Sequence, residues 1–340
     1  MANPVLVEVT RGNRVESRHR GAIAVFDADG RSVFSAGNVD EAIYPRSAVK
    51  AIQALPLIES GAADAFGYGK RELALAQASH GGEPHHIAIA AAMLKAARLD
   101  EGALECGCHW PTHSASAAAL SAAGNRPSAL HNNCSGKHAG FLAVARHKGF
   151  PTEGYIKPDH PVQRLVRDAM ESLTGAAHLA DDCGIDGCSI PTYAVPLTAL
   201  AVGFARFGSG QGLTPERAAA ARRIFDAAIA EPFYIAGTGR FCSQAITAMK
   251  GDALVKTGAE GVFCGTVPNP GLGIAIKCDD GAARAAETVM ANLLLALMEP
   301  DNATLKHWAS AALLNRRGLR IGEIRLAEGA LASLDGLERS

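Results

Sequence analysis

Residues 22–34 have the sequence AIAVFDADGRSVF, in which two apolar runs flank the polar segment Asp27-Ala28-Asp29-Gly30. Short runs rich in valine and phenylalanine are typical of β-strands, and a segment of aspartate and glycine between them predicts a tight turn. The stretch therefore predicts a β-hairpin. Residues 5–9 alternate between the two faces of an extended chain and predict another strand just before it.

Strand patterns return near the other end of the chain. Residues 253–257, 261–267 and 272–278 are apolar runs separated by segments that contain glycine and proline. Such segments are typical of turns between strands. Both ends of the chain therefore contribute strands.

The middle of the chain has the apolar spacing of helices. Pro45 and Gly61 bound one such segment, and Thr214 followed by Pro215 is a signal for the start of another. Further helices are predicted over residues 72–78, 86–98, 114–123, 137–147, 161–173, 215–230 and 283–298.

Strands at both ends with helices between them predict the α+β class. We expect an antiparallel sheet built from both termini, with an inserted helical region. Residues 1–340 would then form a single catalytic unit, in which residues 1–45 and 250–300 supply the sheet and residues 46–249 are mainly helical. Residues 301–340 are weakly patterned and predict no element.

Composition excludes several classes of function. The formal net charge is -1, with 33 basic and 34 acidic residues, so electrostatic capture of nucleic acid or of an anionic membrane is not expected. No apolar run reaches the length of a membrane span. The first residues lack the pattern of a secretory signal, which predicts a cytoplasmic protein whose eight cysteines are mostly thiols.

The first candidate for chemistry is Ser47-Ala48-Val49-Lys50, at the start of the helix predicted after Pro45. Residues three apart on a helix are neighbours, so the hydroxyl and the amine can meet. A lysine amine whose charge is disfavoured by burial can take the proton of a serine hydroxyl. The first turn of a helix also favours negative charge. Taken alone, the motif occurs often by chance and is more typical of a solvated helix face.

Lys256-Thr257-Gly258, at the end of a predicted strand, makes the catalytic interpretation stronger. A Ser-x-x-Lys motif on a helix, followed by Lys-Thr-Gly on a later strand, is typical of β-lactamases and penicillin-binding proteins. The alternative for Lys256 is an ordinary edge-strand lysine. Ser79, in Ser79-His80-Gly81-Gly82, stands where the third motif of those enzymes would lie, although this segment also fits the end of a helix.

Two cysteine-rich segments are candidate metal or redox sites. Cys134, Cys183 and Cys188, with His138, form a ligand set suited to a soft metal, and Cys106-Gly107-Cys108-His109 is a second string of possible ligands. Lys137 near a thiol would lower its pKa, which also allows a reactive cysteine. Buried reduced cysteines without a chemical function are the alternative in both places.

Gly237-Thr238-Gly239-Arg240 is a glycine-rich approach to a helix. Such a segment can hold an anion, for example a substrate carboxylate. It lacks the lysine of a P-loop and the full spacing of a dinucleotide motif, so it does not predict a nucleotide site.

Five segments together resemble the Rhizobium etli-type L-asparaginases, the asparaginase II or class 3 family. The resemblance runs in order from about Val7 to Lys277, and the segment at residues 133–138 is its most distinctive part. The five segments are Pro45-Arg46-Ser47-Ala48-Val49-Lys50, Ala78-Ser79-His80, Asn133-Cys134-Ser135-Gly136-Lys137-His138, Asp186-Gly187-Cys188-Ser189-Ile190-Pro191 and Gly239-Arg240-Phe241-Cys242.

The resemblance implies a fold similar to that of serine β-lactamases and penicillin-binding proteins. It also implies the hydrolysis of L-asparagine to L-aspartate and ammonia. Two serine–lysine pairs follow from it, Ser47 with Lys50 and Ser79 with Lys256, and the spacing argument above covers only the first pair. Which of the two serines is the nucleophile stays open.

The resemblance further implies a metal and a partner. Zn²⁺ would be held by Cys134, Lys137 and Cys188, with water completing the site. Metal binding requires a deprotonated amine, so lysine is an unusual ligand. A homodimer is also implied by the resemblance.

Charge complementarity assigns provisional roles around the substrate. Asp186 is our candidate for the α-ammonium group of asparagine, and Arg46 and Arg240 are candidates for its carboxylate. His80 and Gly239, next to the motifs above, are further candidates for substrate binding.

Two other functions are compatible with these residues. One is a β-lactamase or peptidase that acts on cell-wall amides, against which the missing secretory signal argues. The other is a non-catalytic zinc or thiol sensor that uses Cys134 and Cys188, which would leave Ser47 and Lys256 without a role.

Overall fold

An antiparallel sheet assembled from both ends of the chain is the framework of the protein in the computed structural model, which describes residues 2–298 and 301–332. The main sheet has the strand order β11-β12-β1-β2-β10-β9-β8, with β3 paired to β2, and two small sheets pair β4 with β7 and β5 with β6. The strands are β1 Val5–Arg11, β2 Arg14–Asp27, β3 Ser32–Ala36, β4 Ala42–Ile43, β5 Cys183–Ile185, β6 Pro191–Tyr193, β7 Val195–Pro196, β8 Leu254–Thr257, β9 Val262–Val267, β10 Leu272–Cys278, β11 Ser310–Leu314 and β12 Arg320–Leu326.

Helices fill the chain between the two groups of strands, so the α+β class predicted from the sequence is confirmed. The α-helices are α1 Lys50–Gln53, α2 Leu55–Glu59, α3 Ala62–Ala65, α4 Lys70–Ala76, α5 Pro84–Ala96, α6 Ser114–Ala122, α7 Ser135–Lys148, α8 Pro161–Thr174, α9 Leu197–Ser209, α10 Pro215–Ala230, α11 Phe233–Ala236, α12 Phe241–Met249, α13 Ala283–Leu297 and α14 Ala303–Ala309. The segment predicted as one helix from Pro45 to Gly61 is divided: Arg46–Val49 is a 3₁₀ turn, and α1 and α2 follow it.

Strand β2 joins the two halves of the main sheet. Its first half pairs with β1, and its second half pairs with β10 and β3. Gly21 lies where the partner changes, and a Cβ atom there would collide with the carbonyl oxygen of Lys277. Only glycine permits this close approach of two backbones.

Two helices cover opposite faces of the sheet. On β9, Thr266 contacts Gly208 of α9, whereas the neighbouring Gly265 faces Met290 of α13. Successive strand residues point to opposite faces, so α9 and α13 sandwich the sheet. Strands β9 and β10 are consequently buried along almost their whole length, which explains their continuous apolar sequence.

Residues 301–340, for which the sequence predicted no element, contribute α14, β11 and β12 within their described part. The sheet-forming region therefore extends beyond residue 300, to Leu326. Strands β11 and β12 lie at one edge and are only partly buried, so their sequences lack the apolar runs of the central strands.

Over residues 2–298 and 301–332, the structure contains no helix long and apolar enough to cross a membrane.

The contact between α9 and β10 gives a prediction about stability. A Cβ atom at Gly273 of β10 would collide with the backbone of Ala201 and Ala205 in α9. Because a backbone cannot move aside as a side chain can, we expect Gly273→Ala to lower the free energy of unfolding by about 1–3 kcal/mol. Chemical denaturation measures this difference. Ser35→Ala, at an exposed position of β3, is the control and should stay within about 0.5 kcal/mol of the parent; equal stabilities of the two variants would contradict the packing described.

Candidate active site

Two lysine side chains converge on one serine in the interior. The amine of Lys256 donates to Ser79 Oγ at 2.8 Å, and the amine of Lys50 donates to the same oxygen at 3.0 Å. Lys50 is 0% exposed, Lys256 1% and Ser79 6%. A hydroxyl held between two buried amines is the arrangement that serine–lysine chemistry requires.

Three separate parts of the fold supply these side chains. Lys50 begins α1, Ser79 lies in the turn after α4, and Lys256 lies on the edge strand β8. The backbone N–H of Ser79 donates to the carbonyl of Ile235 at 2.9 Å, which fixes the turn. At Gly258, a Cβ atom would lie 2.8 Å from the carbonyl oxygen of Pro45, so the strand and the 3₁₀ turn touch backbone to backbone.

Burial controls the charge of Lys256. Desolvation lowers the pKa of Lys256 to about 7, and the nearby positive charge of Lys50 adds to this effect. The second donor bond of Lys256 goes to the carbonyl of Thr257 at 2.8 Å. Near neutral pH the amine can therefore act as a proton acceptor, as a base in this position must.

Ser47 and Lys50 are neighbours along the chain but do not form the pair predicted from their spacing. Lys50 donates instead to Ser79 and to the carbonyl of Ala78. Ser47 is half-buried, and its hydroxyl makes no hydrogen bond with any residue that the structure describes. The sequence spacing did not reveal that the turn carrying Ser79 lies closer to the amine.

Arg46 and Asp186, predicted to bind opposite ends of a substrate, form an ion pair with each other. Nε of Arg46 donates to Asp186 Oδ1 at 2.7 Å, and the side chains are 25% and 9% exposed. Burial alone would raise the pKa of Asp186, but the charges of Lys137 and Arg46 and the hydrogen bond from Arg46 hold it below its usual value. Asp186 is therefore a carboxylate at neutral pH.

Cys134, Lys137 and Cys188 come together, as the predicted metal site requires. The amine of Lys137 donates to Cys188 Sγ at 3.1 Å. The pKa of Cys134 is well below its ordinary value because Cys188 donates to it, and the pKa of Cys188 is correspondingly raised. Burial alone would lower the pKa of Lys137, but the neighbouring sulfurs of Cys188 and Cys134 raise it above its usual value.

This donor set fits Zn²⁺. It offers two sulfurs and one nitrogen in a buried position, and catalytic zinc sites commonly have three protein ligands and one open position. Over residues 2–298 and 301–332, no three side chains of His, Cys, Asp or Glu are grouped to hold a metal. A metal at this place would therefore need Lys137, and it would have to displace the proton of the amine.

His80 lies beside the centre but is fully buried. The N–H of Gly82 donates to its Nδ1 at 3.1 Å, so its Nε2 carries the proton and donates to Ser135 Oγ at 2.9 Å. Burial lowers the pKa of His80 well below its ordinary value, which keeps the ring neutral. His80 therefore connects the turn of Ser79 to the start of α7, and its predicted contact with substrate has no exposed surface to use.

Gly239 and Arg240 precede α12, at the edge of the same region. Gly239 is exposed, with φ +71°, and Arg240 is half-buried. The positive charge of Arg240 is one of the influences that lower the pKa of Lys256, which places it near the amines. The position is consistent with the predicted role in binding a carboxylate.

The sequence profile of the family described as L-asparaginase II matches residues 7–326. The chain belongs to the L-asparaginase II family. The family's description as an L-asparaginase supports the amidohydrolase class that the sequence resemblance implied. A search of curated proteins found no match.

Solved structures similar to this L-asparaginase II family chain have low sequence identity. Mglu in its native form is 17% identical over 82% of this chain and 63% of its own, with a TM-score of 0.44. A second Mglu structure is 16% identical over 81% of this chain and 66% of its own, with a TM-score of 0.43. A β-lactamase from Mycobacterium bovis is 12% identical over 81% of this chain and 94% of its own, with a TM-score of 0.40.

The site also contains residues that the sequence did not single out as candidates. Glu83 accepts two hydrogen bonds from Thr238, and Ser135 accepts one from His80. Ser135 lies inside the distinctive Asn-Cys-Ser-Gly-Lys-His segment, which could have identified it. Glu83 and Thr238 are 155 residues apart, and no local pattern connects them.

The lowered pKa of Lys256 predicts a pH profile. Lys256 has to be neutral to accept a proton, and it becomes protonated as the pH falls below about 7. We therefore expect kcat/KM for amide hydrolysis to rise with pH around an apparent pKa near 7 and to fall about tenfold per pH unit below it. Steady-state kinetics at a series of pH values below and above 7 measures the profile, and thermal unfolding is recorded at each pH. A flat kcat/KM through this range in folded protein would contradict the assignment.

Proposed function

We propose that this chain hydrolyses L-asparagine to L-aspartate and ammonia through a serine nucleophile. The observation that carries the proposal is the Ser79 hydroxyl held between Lys256, at 2.8 Å, and Lys50, at 3.0 Å. Amines within hydrogen-bond distance of a hydroxyl can activate serine chemistry. Membership of the L-asparaginase II family supports asparagine as the substrate.

Ser47 is the proposed nucleophile. It is half-buried and its hydroxyl is not engaged by any described residue, whereas Ser79 is almost fully buried between two amines. Ser47 Oγ forms a bond to the side-chain amide carbon of asparagine, which gives a tetrahedral intermediate. Its collapse breaks the bond to nitrogen and releases ammonia, and water then hydrolyses the acyl-enzyme.

Ser79 is the proposed proton relay. As Ser47 gives its proton to Lys50, Lys50 passes one to Ser79, and Ser79 passes one to the neutral amine of Lys256. The same path in reverse returns a proton to the leaving nitrogen, so the lysines end each half-reaction in their starting state. The short contacts of both amines with Ser79 Oγ support a proton path that passes through this oxygen.

Asp186 is the proposed partner of the substrate α-ammonium group. Its Oδ1 accepts from Arg46 and from the N–H of Gly187, while its Oδ2 accepts no hydrogen bond from the described residues. One carboxylate oxygen is therefore left for the substrate. Arg46, held by Asp186, and Arg240 remain the candidates for the substrate carboxylate.

We also propose that Cys134, Lys137 and Cys188 bind Zn²⁺. The proximity of these donors and the lowered pKa of Cys134 support this site. Zinc would supply a fixed positive charge that can polarise or orient a substrate group. Lys137 and Asp186 interact electrostatically, so the site is adjacent to the proposed ammonium position.

Three narrower expectations from the sequence remain proposals: the Rhizobium etli-type subclass, a homodimer and a cytoplasmic location. Sedimentation of the purified protein would test the homodimer.

Serine variants test the assignment of the nucleophile. Ser47→Ala should lower kcat for ammonia release by about 10⁴-fold or more, because no acyl-enzyme can form. Ser79→Ala should lower kcat by about 10²–10⁴-fold, the usual contribution of proton transfer, and its acyl-enzyme should still form on Ser47. Ser114→Ala, at an exposed position, is the control.

Mass spectrometry of the rapidly quenched enzyme identifies the acylated peptide. An acyl group on Ser79 would show that Ser79 is the nucleophile, and Ser47 would then be the proton relay. Turnover of a β-lactam panel without ammonia release from asparagine would instead support a β-lactamase.

Metal analysis tests the zinc site. We expect about one Zn²⁺ per chain in the parent protein and a loss of most of it in Cys188→Ser, because a soft ligand is removed. Cys108→Ser, which changes an exposed cysteine, should retain the parent content. Equal zinc content in both variants, measured by elemental analysis after dialysis, would exclude this site.

A further inference from the structure

A buried carboxylate outside the lysine–serine centre joins two loops of the site. Glu83 is 7% exposed and lies at the start of α5, four residues after Ser79. Its Oε1 accepts the backbone N–H of Thr238 at 2.8 Å, and its Oε2 accepts the hydroxyl of the same residue at 2.7 Å. Two hydrogen bonds from one residue to one carboxylate fix both distance and orientation.

The loop at residues 237–239 is shaped around this carboxylate. Gly237 has φ +107°, and a Cβ atom there would collide with Glu83 Oε1. The N–H of Gly237 donates to Ser243 Oγ at 3.2 Å, which closes the loop on its other side. A glycine is therefore required so that the backbone can approach the carboxylate.

The electrostatic surroundings keep Glu83 ionised. Burial alone would raise the pKa of Glu83, but the hydrogen bonds from Thr238 and the nearby His113 and His86 lower it. Nδ1 of His113 lies 3.9 Å from Oε2. An ionised carboxylate carries no proton, so both of its oxygens can accept the hydrogen bonds from Thr238.

Residues 79–83 and residues 235–238 are consequently connected by hydrogen bonds at two points. Ser79 donates through its backbone N–H to Ile235, and Glu83 accepts from Thr238. The first tie lies at the proposed proton relay, and the second lies directly before Gly239 and Arg240.

We propose that Glu83 is a positioning residue that holds residues 237–239 in the conformation in which Gly239 and Arg240 bind the substrate carboxylate. The inference rests on the proposed function for its substrate. Glu83 acts through Thr238 and does not touch the reacting atoms.

Kinetics of three variants test this role. Glu83→Ala should raise KM for asparagine about 10- to 100-fold with a much smaller change in kcat, because a displaced binding loop weakens substrate binding. Glu83→Gln should recover much of the loss, since its amide can still accept from the N–H of Thr238 and can donate to its hydroxyl. Thr238→Val, which removes only the hydroxyl, should give an intermediate KM and is the milder variant if Glu83→Ala does not fold.

The double variant distinguishes a joint role from two separate ones. If Glu83 acts through Thr238, Thr238→Val should have little further effect on KM in the Glu83→Ala background. Additive effects, an unchanged KM in Glu83→Ala, or a Gln variant no better than Ala would each overturn the proposal.

Hydrogen–deuterium exchange separates this inference from the proposed function. Amides of residues 237–240 should exchange faster in Glu83→Ala than in the parent, whatever the substrate is. Equal exchange would refute the positioning role. Faster exchange in a protein that releases no ammonia from asparagine would refute the proposed substrate and leave the loop contact intact.

Discussion

Two buried lysine amines on one serine oxygen are the constraint on which the rest of the site depends. Two ammonium charges cannot both be accommodated so close together in a low-dielectric interior, and burial already disfavours each of them. The outcome is a pKa of about 7 for Lys256, next to Lys50. The fold has to maintain this unfavourable proximity, and it does so by bringing β8 against the 3₁₀ turn at Gly258, where no side chain intervenes.

The sequence predicted the class of fold because the sheet follows local rules. The hairpin of β2 and β3 and the buried strands β9 and β10 are apolar runs bounded by turn residues, as their sequences indicate. Helix α9 was not predicted, although it covers the sheet. Its sequence follows Pro196 directly and is apolar on most sides, so it lacks the polar face that marks a helix. Strands β11 and β12 were missed because they are only partly buried and lack a continuous apolar run.

The candidate site was only partly predictable, because spacing describes neighbours along the chain and not across the fold. The motifs named Lys50, Ser79 and Lys256, which the structure brings together. The same motifs paired Ser47 with Lys50, whereas the amine contacts Ser79, in a loop that sequence spacing cannot place. Glu83 was overlooked because its contact with Thr238 exists only in three dimensions.

The charged groups around the relay together determine the electrostatic field at the proposed site. Lys50, Lys137 and Arg240 make the interior strongly positive, and the carboxylate of Asp186 offsets part of this charge. If these charges were completely neutralised, the field would stabilise the ground state and the transition state equally. A residual positive field instead favours the oxyanion that develops when a hydroxyl attacks an amide, and it also attracts the substrate carboxylate.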